Sequence, residues 1–106
     1  MMELKNIMKL LGGLGIPIAY LHFAEGESPE PPFLFYLTPG SHNFSADGMV
    51  YFKVKQLDVE LYTDKKDLAL EEKLEKILDA QGIFYNKTET YIKSEKLYEV
   101  LYELEV

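Results

Sequence analysis

The stretch MVYFKVKQLDVELY, residues 49–62, decides how this chain is read. Val50, Phe52 and Val54 share one face of an extended segment, and Leu57, Val59 and Leu61 are apolar in the opposite phase. Side chains along a pleated strand repeat every two residues, so the apolar face changes sides near Lys55 and Gln56. Two readings follow. A β-bulge would restore one continuous core face. Alternatively, the first half buries its side chains against something other than the core of its own chain, such as a neighbouring subunit.

On the C-terminal side, Asp64 or Asp67 is placed to cap a helix, accepting orphan N–H groups of its first turn. Residues 68–81 carry Leu70, Leu74, Ile77 and Leu78 at the spacing of one helical face. Glu72 and Lys76 stand i, i+4 in the favourable order, and Gly82 is positioned to end the helix. In the last segment, Tyr98, Val100, Tyr102, Leu104 and Val106 alternate with Glu99, Leu101, Glu103 and Glu105. Leu97, Val100, Leu101 and Leu104 would also fit a helix, but the alternation and the tyrosines favour a β-hairpin over residues 83–106.

On the N-terminal side, Phe33-Leu34-Phe35-Tyr36-Leu37 is apolar on both faces, the pattern of a central strand covered on both sides. Before it, residues 16–23 read as a short strand, with Pro17 confined to its start or to an edge. Residues 24–32 are a proline-rich loop, in which Pro29 and Pro32 form a P-x-x-P spacing but are flanked by acids, so a stiff connection is the better reading. Residues 41–48 read as a polar loop carrying an exposed aromatic, Phe44. Leu4, Ile7, Met8 and Leu11 make one face of an opening helix, stopped at Gly12 and Gly13. Gly12-Gly13-Leu14-Gly15 matches neither dinucleotide nor P-loop spacing. The expected architecture is therefore α+β, in the order α-β-β-β-α-β-β, with a mainly antiparallel sheet and two helices on one face. A chain of 106 residues supports a single domain, 1–106, with one modest core.

Charge narrows the function. Eighteen acids against eleven bases give a net charge of −7, and every base is Lys. Without Arg the bidentate readers of phosphate and guanine are missing, so wrapping nucleic acid or binding anionic membranes is disfavoured. No cysteine is present, which excludes disulfides, thiol catalysis and zinc–thiolate sites. No secretory pattern and no run of about 18 apolar residues is visible, so the expected compartment is the cytoplasm of a cell or an infected host. His22 and His42 have no second ligand at helical spacing, and Asp64 and Asp67 flank lysines rather than glycine. Ser28, Ser41, Ser45 and Ser94 lack nucleophile-elbow context. No catalytic residue, cofactor site or metal site is expected, and the chain is read as a non-enzyme. What stands out is surplus apolar strand surface. Phe33, Phe35, Phe44, Val50, Phe52 and Val54, with Pro31 and Pro32, are the candidate interface residues.

Several phrases carry a family resemblance. They are Gly15-Ile16-Pro17-Ile18-Ala19-Tyr20, Pro31-Pro32 before Phe33, Glu60-Leu61-Tyr62-Thr63-Asp64-Lys65-Lys66-Asp67, Glu71-Glu72-Lys73-Leu74-Glu75, and the run from Thr88 to Tyr98. Together they resemble the tail-terminator, or head–tail joining, proteins of siphophages and prophages in Gram-positive bacteria. The resemblance implies a small α+β subunit of the virion, assembled in the host cytoplasm. It implies a ring of identical copies, usually hexameric, that caps the tail tube and mates with the head connector. The implied partners are other copies of the chain, the tail tube protein and a head connector or neck protein. DNA would pass through without specific binding, past acids such as Glu99, Glu103 and Glu105, or Glu25, Glu27 and Glu30, and no membrane is involved. Simpler relatives show a single C-terminal strand where this chain has two β segments. The alternatives are a neck protein that closes the head side and, in another class, a small cytoplasmic enzyme or ligand-binding domain.

Overall fold

The computed structural model describes residues 3–24, 26–41, 44–46, 49–52 and 54–106, with the backbone alone over 44–46 and 49–52. Helix α1, Leu4–Leu11, buries Ile7 and Leu11. The chain continues past Gly12 in a 3₁₀ turn, Gly12–Leu14, and reverses at Gly15, whose φ of 73° is left-handed. The α-helix thus stops at Gly12 as expected, and the left-handed residue that turns the chain is Gly15, where a Cβ would be strained. Strand β1, Ile18–Tyr20, is shorter than the pattern predicted. Pro17 cannot extend its ladder as a donor, and Leu21 (φ 65°) bends the chain away, with the His22 N–H donating to Tyr20 O at 2.7 Å.

β2, Phe33–Leu37, follows, then β3, Phe44–Ala46, β4, Met49–Phe52, and β5, Gln56–Thr63. The phase change between Val54 and Leu57 therefore marks a change of strand. It is not a bulge in one long strand. β4 pairs with β3 in a separate two-stranded ladder, whereas β5 enters the main sheet. β3 falls where a loop was expected. At the junction Lys55 bridges to Ser41 and exchanges backbone hydrogen bonds of 2.9 and 2.8 Å with Val106.

Helix α2, Leu68–Ala80, is capped by Asp67, whose carboxylate accepts the Leu70 N–H at 3.0 Å. It ends with the Gly82 N–H on Asp79 O and the Ile83 N–H on Leu78 O, the paired bonds of a Schellman motif around left-handed Gly82. β6, Tyr85–Ile92, and β7, Leu97–Glu105, form the C-terminal hairpin, so the strand reading of this segment holds over the helical one.

The five-stranded sheet has the order β1-β2-β5-β7-β6. β1 runs parallel to β2, and every other pair is antiparallel. Leu34, Leu57, Val59, Leu61, Val100, Tyr102 and Leu104 point to one face, where they meet Ile7 and Leu11 of α1 and Leu70, Leu74 and Leu78 of α2. Both helices therefore cover the same side. The class is α+β as expected, and burial of this face supplies the main driving force for folding.

Candidate interaction surface

The other face of the sheet is formed by the alternate residues. On β2 these are Phe33, Phe35 and Leu37; on β5, Gln56, Asp58, Glu60 and Tyr62. On β7 they are Leu97, Glu99, Leu101, Glu103 and Glu105, and on β6 Asn86, Thr88, Thr90 and Ile92. Register divides this face into two halves. Near β2, Phe33 stands opposite Tyr62, with their rings stacked 5.3 Å apart and 26° from parallel. Phe35 lies 5.2 Å from Phe33 and 5.2 Å from Tyr62, and Phe23 folds back from the loop to within 5.5 and 5.2 Å of Phe33 and Phe35. Offset and edge contacts of this kind add to simple area burial.

Toward β7 the face is acidic. It carries Asp58, Glu60, Glu99, Glu103 and Glu105 and no Lys. Asp58 pairs directly with Glu103, and Glu99 lies diagonal to Glu60 across the same ladder. Like charges so placed oppose pairing, which the hydrophobic side of the same strands outweighs. Burial raises the Glu99 carboxyl above the usual carboxylate range, and the nearby Glu60 adds to the rise. The Tyr62 hydroxyl donates to Glu60 Oε1 at 2.8 Å; burial, together with that carboxylate, holds the phenol far above its ordinary range.

The helix-covered side holds a different arrangement. Glu71, on the inner turn of α2, is only 3% exposed. Lys66 Nζ lies 2.7 Å from its Oε2 and Lys87 Nζ 2.9 Å from its Oε1. Lys66 also binds Glu89, and Lys87 reaches Glu75 Oε2 at 2.8 Å, where the Tyr102 hydroxyl donates at 2.7 Å. Burial alone would raise the Glu71 carboxyl, but the two ammonium groups outweigh it and hold it below the usual range. In turn, although burial lowers it, Lys87 is pushed up to about 12 by Glu75 and Glu71. Two lysines thus share three carboxylates, and the network ties α2 to the C-terminal hairpin.

The structure sorts the candidate interface residues. Pro31, Pro32, Phe33 and Phe35 come together at one end of β2. Phe33 is buried beneath its ring neighbours, and Phe35, Pro31 and Pro32 are half-buried. Val54 is buried just before β5 begins, at the end of that strand away from Tyr62. The side chains of Phe44, Val50 and Phe52, and His42, lie outside the described residues. His22 is exposed and donates from Nδ1 to Phe23 O at 2.8 Å. Sequence reasoning missed Tyr62 and Phe23 as part of the aromatic cluster, and Asp58 and Glu60 as part of the acidic one. The signal for three of these was the polar phase of residues 56–62, read only for its apolar complement.

A depression of about 280 Å³ lies at the acidic end, lined by Gln56, Phe84, Asn86, Glu103, Leu104 and Glu105. Its lining includes two carboxylates, Glu103 and Glu105, and no cation. Among the described residues no cluster of His, Asp and Glu is arranged to hold a metal ion, and no helix is long and apolar enough to cross a membrane.

No protein-family model matches the chain, and no curated protein matches it by sequence. Its fold is similar to that of a chain in the virion of a native gene transfer agent particle. The likeness has a TM-score of 0.59 and covers 93% of this chain and 81% of that one, at 9% sequence identity.

Proposed function

We propose that this chain is a non-enzymatic structural subunit of a virion, and that it assembles into a hexameric ring that terminates the tail tube and joins it to the head. The observation that carries the reading is the fold likeness to a virion chain over nearly the whole length. The resemblance of its sequence phrases to tail-terminator proteins points the same way. The divided sheet face supports a ring in physical terms. A ring closes through heterologous contacts, in which one patch of a subunit meets a different patch on the next. The aromatic end, Phe35 with Pro31 and Pro32 over buried Phe33, is one such patch. In this reading the sequence candidates on β3 and β4, Phe44, Val50 and Phe52, belong to the other, while Val54, buried in the subunit, supports them from within. Turned inward, the acidic half would line a channel that repels DNA phosphate and lets the duplex slide.

The test is to add purified protein to growing tail tubes and view the products by electron microscopy. A ring of density at one tube end, with tube length capped, is expected. No association with tubes refutes the reading, and association with head connectors alone replaces it with head closure.

A further inference from the structure

The two edges of the five-stranded sheet are built differently. β1 is three residues long, follows Pro17, and is turned away by left-handed Leu21. Short strands, prolines, kinks and charged side chains, Lys above all, are the means by which sheet edges avoid pairing with other chains. β6 is neither short, prolyl nor kinked, and its two charges, Lys87 and Glu89, are of opposite sign, so they oppose a second antiparallel copy only in registers that set like against like. It runs eight residues in unbroken register with β7, from Tyr85↔Leu104 to Ile92↔Leu97, contains no proline, and ends the sheet. Its open-face residues Asn86, Thr88 and Thr90 are exposed and uncharged. Just before it stands Phe84, 79% exposed.

We propose that β6 pairs antiparallel with β6 of a second copy of this chain, about a two-fold axis through Thr88, joining two five-stranded sheets edge to edge. The argument is self-complementarity. This register sets Thr88 against Thr88, Lys87 against Glu89, Asn86 against Thr90, Tyr85 against Tyr91, and Phe84 against Ile92. Hydroxyl pairs, opposite charges, aromatic pairs and apolar pairs are the cross-strand combinations that stabilise a ladder. The axis makes every pair other than the central one occur twice. With matching faces kept together, the neighbouring registers are centred on Lys87 or Glu89. They set Lys87 against Lys87 or Glu89 against Glu89, which like-charge repulsion disfavours. The pairing gives exposed Phe84 an apolar partner and covers the long, proline-free edge. β6 lies at the far side of the sheet from β2, so this contact and the aromatic patch do not overlap. It closes on two copies and is independent of the ring.

The chain has no cysteine, so single Cys substitutions report the register directly. Directly opposed strand positions have Cβ atoms about 4.5–5.5 Å apart, close to disulfide reach. In a glutathione redox buffer, Thr88→Cys should become a disulfide-linked dimer, whereas Thr90→Cys, which faces Asn86, should stay as single chains. In sedimentation at high protein concentration the unsubstituted chain should show this contact, and Thr88→Lys, with two ammonium groups on the axis, should halve the mass while keeping its circular dichroism and melting curve. The proposal is overturned if Thr88→Cys stays uncrosslinked, if Thr90→Cys crosslinks as readily, or if Thr88→Lys leaves the mass unchanged. These readouts need no tail tube, so their failure is separate from failure of the ring.

Discussion

Lys87→Met tests how the buried carboxylate on α2 is held. Lys87 lies 2.9 Å from Glu71 and 2.8 Å from Glu75, and its side chain is 34% exposed against 4% for Glu71. Removing one partner from a fully buried ion pair costs about 3–5 kcal/mol. A solvent-exposed pair is worth only about 0.2–1 kcal/mol. Lys87 sits between these limits, and Lys66 remains 2.7 Å from Glu71 after the substitution. The expected loss is therefore about 2 kcal/mol, between the exposed and buried cases. With a urea m-value of about 1.3 kcal/mol/M for a domain this small, the unfolding midpoint should fall by roughly 1.5 M. The pH dependence supplies a second readout. Glu71 has a folded pKa below its ordinary 4.5. Its stabilising contribution is thus present above that value and lost as pH falls through the folded pKa. In Lys87→Met this acid-limb loss should shrink, because the depression is smaller. A midpoint shift under about 0.3 M, with an unchanged acid limb, would mean that solvent screens the network and that it does not hold the helix to the hairpin.

Three further outcomes follow from the same geometry. Leu74→Ala removes a fully buried side chain between the helices and the sheet and should cost about 2–5 kcal/mol in urea unfolding; a smaller loss would mean that the core collapses around the gap. Asp67→Ala deletes the carboxylate that accepts the Leu70 N–H and should cost about 1 kcal/mol, with Asp67→Asn largely sparing it; an equal loss in both would point to charge rather than capping. Glu99 is the opposite case to Glu71: its folded pKa is raised, so its contribution is fully present below the unfolded pKa and lost as pH rises through the folded one. Glu99→Gln should accordingly raise the denaturation midpoint at pH 7 and flatten its decline between pH 4.5 and 7, and a lower midpoint at pH 7 would refute the assigned cause.

The open face combines a surface that favours contact with one that favours repulsion. At the β2 end, aromatic rings pack on one another and leave Phe35 half-covered. At the β7 end, five carboxylates stand with no lysine among them. The helix-covered side shows the contrast: there Glu71, Glu75 and Glu89 share Lys66 and Lys87, whereas the acids of the uncovered face have no lysine beside them.

Local patterns in the sequence determined the class of the fold and most of its elements. The spacing of Leu70, Leu74 and Leu78 named the buried face of α2, and the alternation from Tyr98 to Leu104 identified β7, because burial of one face imposes the period of the element. The terminator at Gly82 was legible because a left-handed residue there needs a glycine. Tertiary structure decided what depends on partners distant along the chain. Whether the phase change at Lys55 was a bulge or a change of ladder turned on β4 finding β3 and β5 finding β7. That Asp58 would face Glu103, or Phe33 stack on Tyr62, depends on registers between segments 29 to 45 residues apart, and no local period encodes these. Distance along the chain likewise hid the pairing of Glu71 with Lys87, and the buried Glu71 carboxylate is tolerable because the folded chain brings that ammonium group within 3 Å.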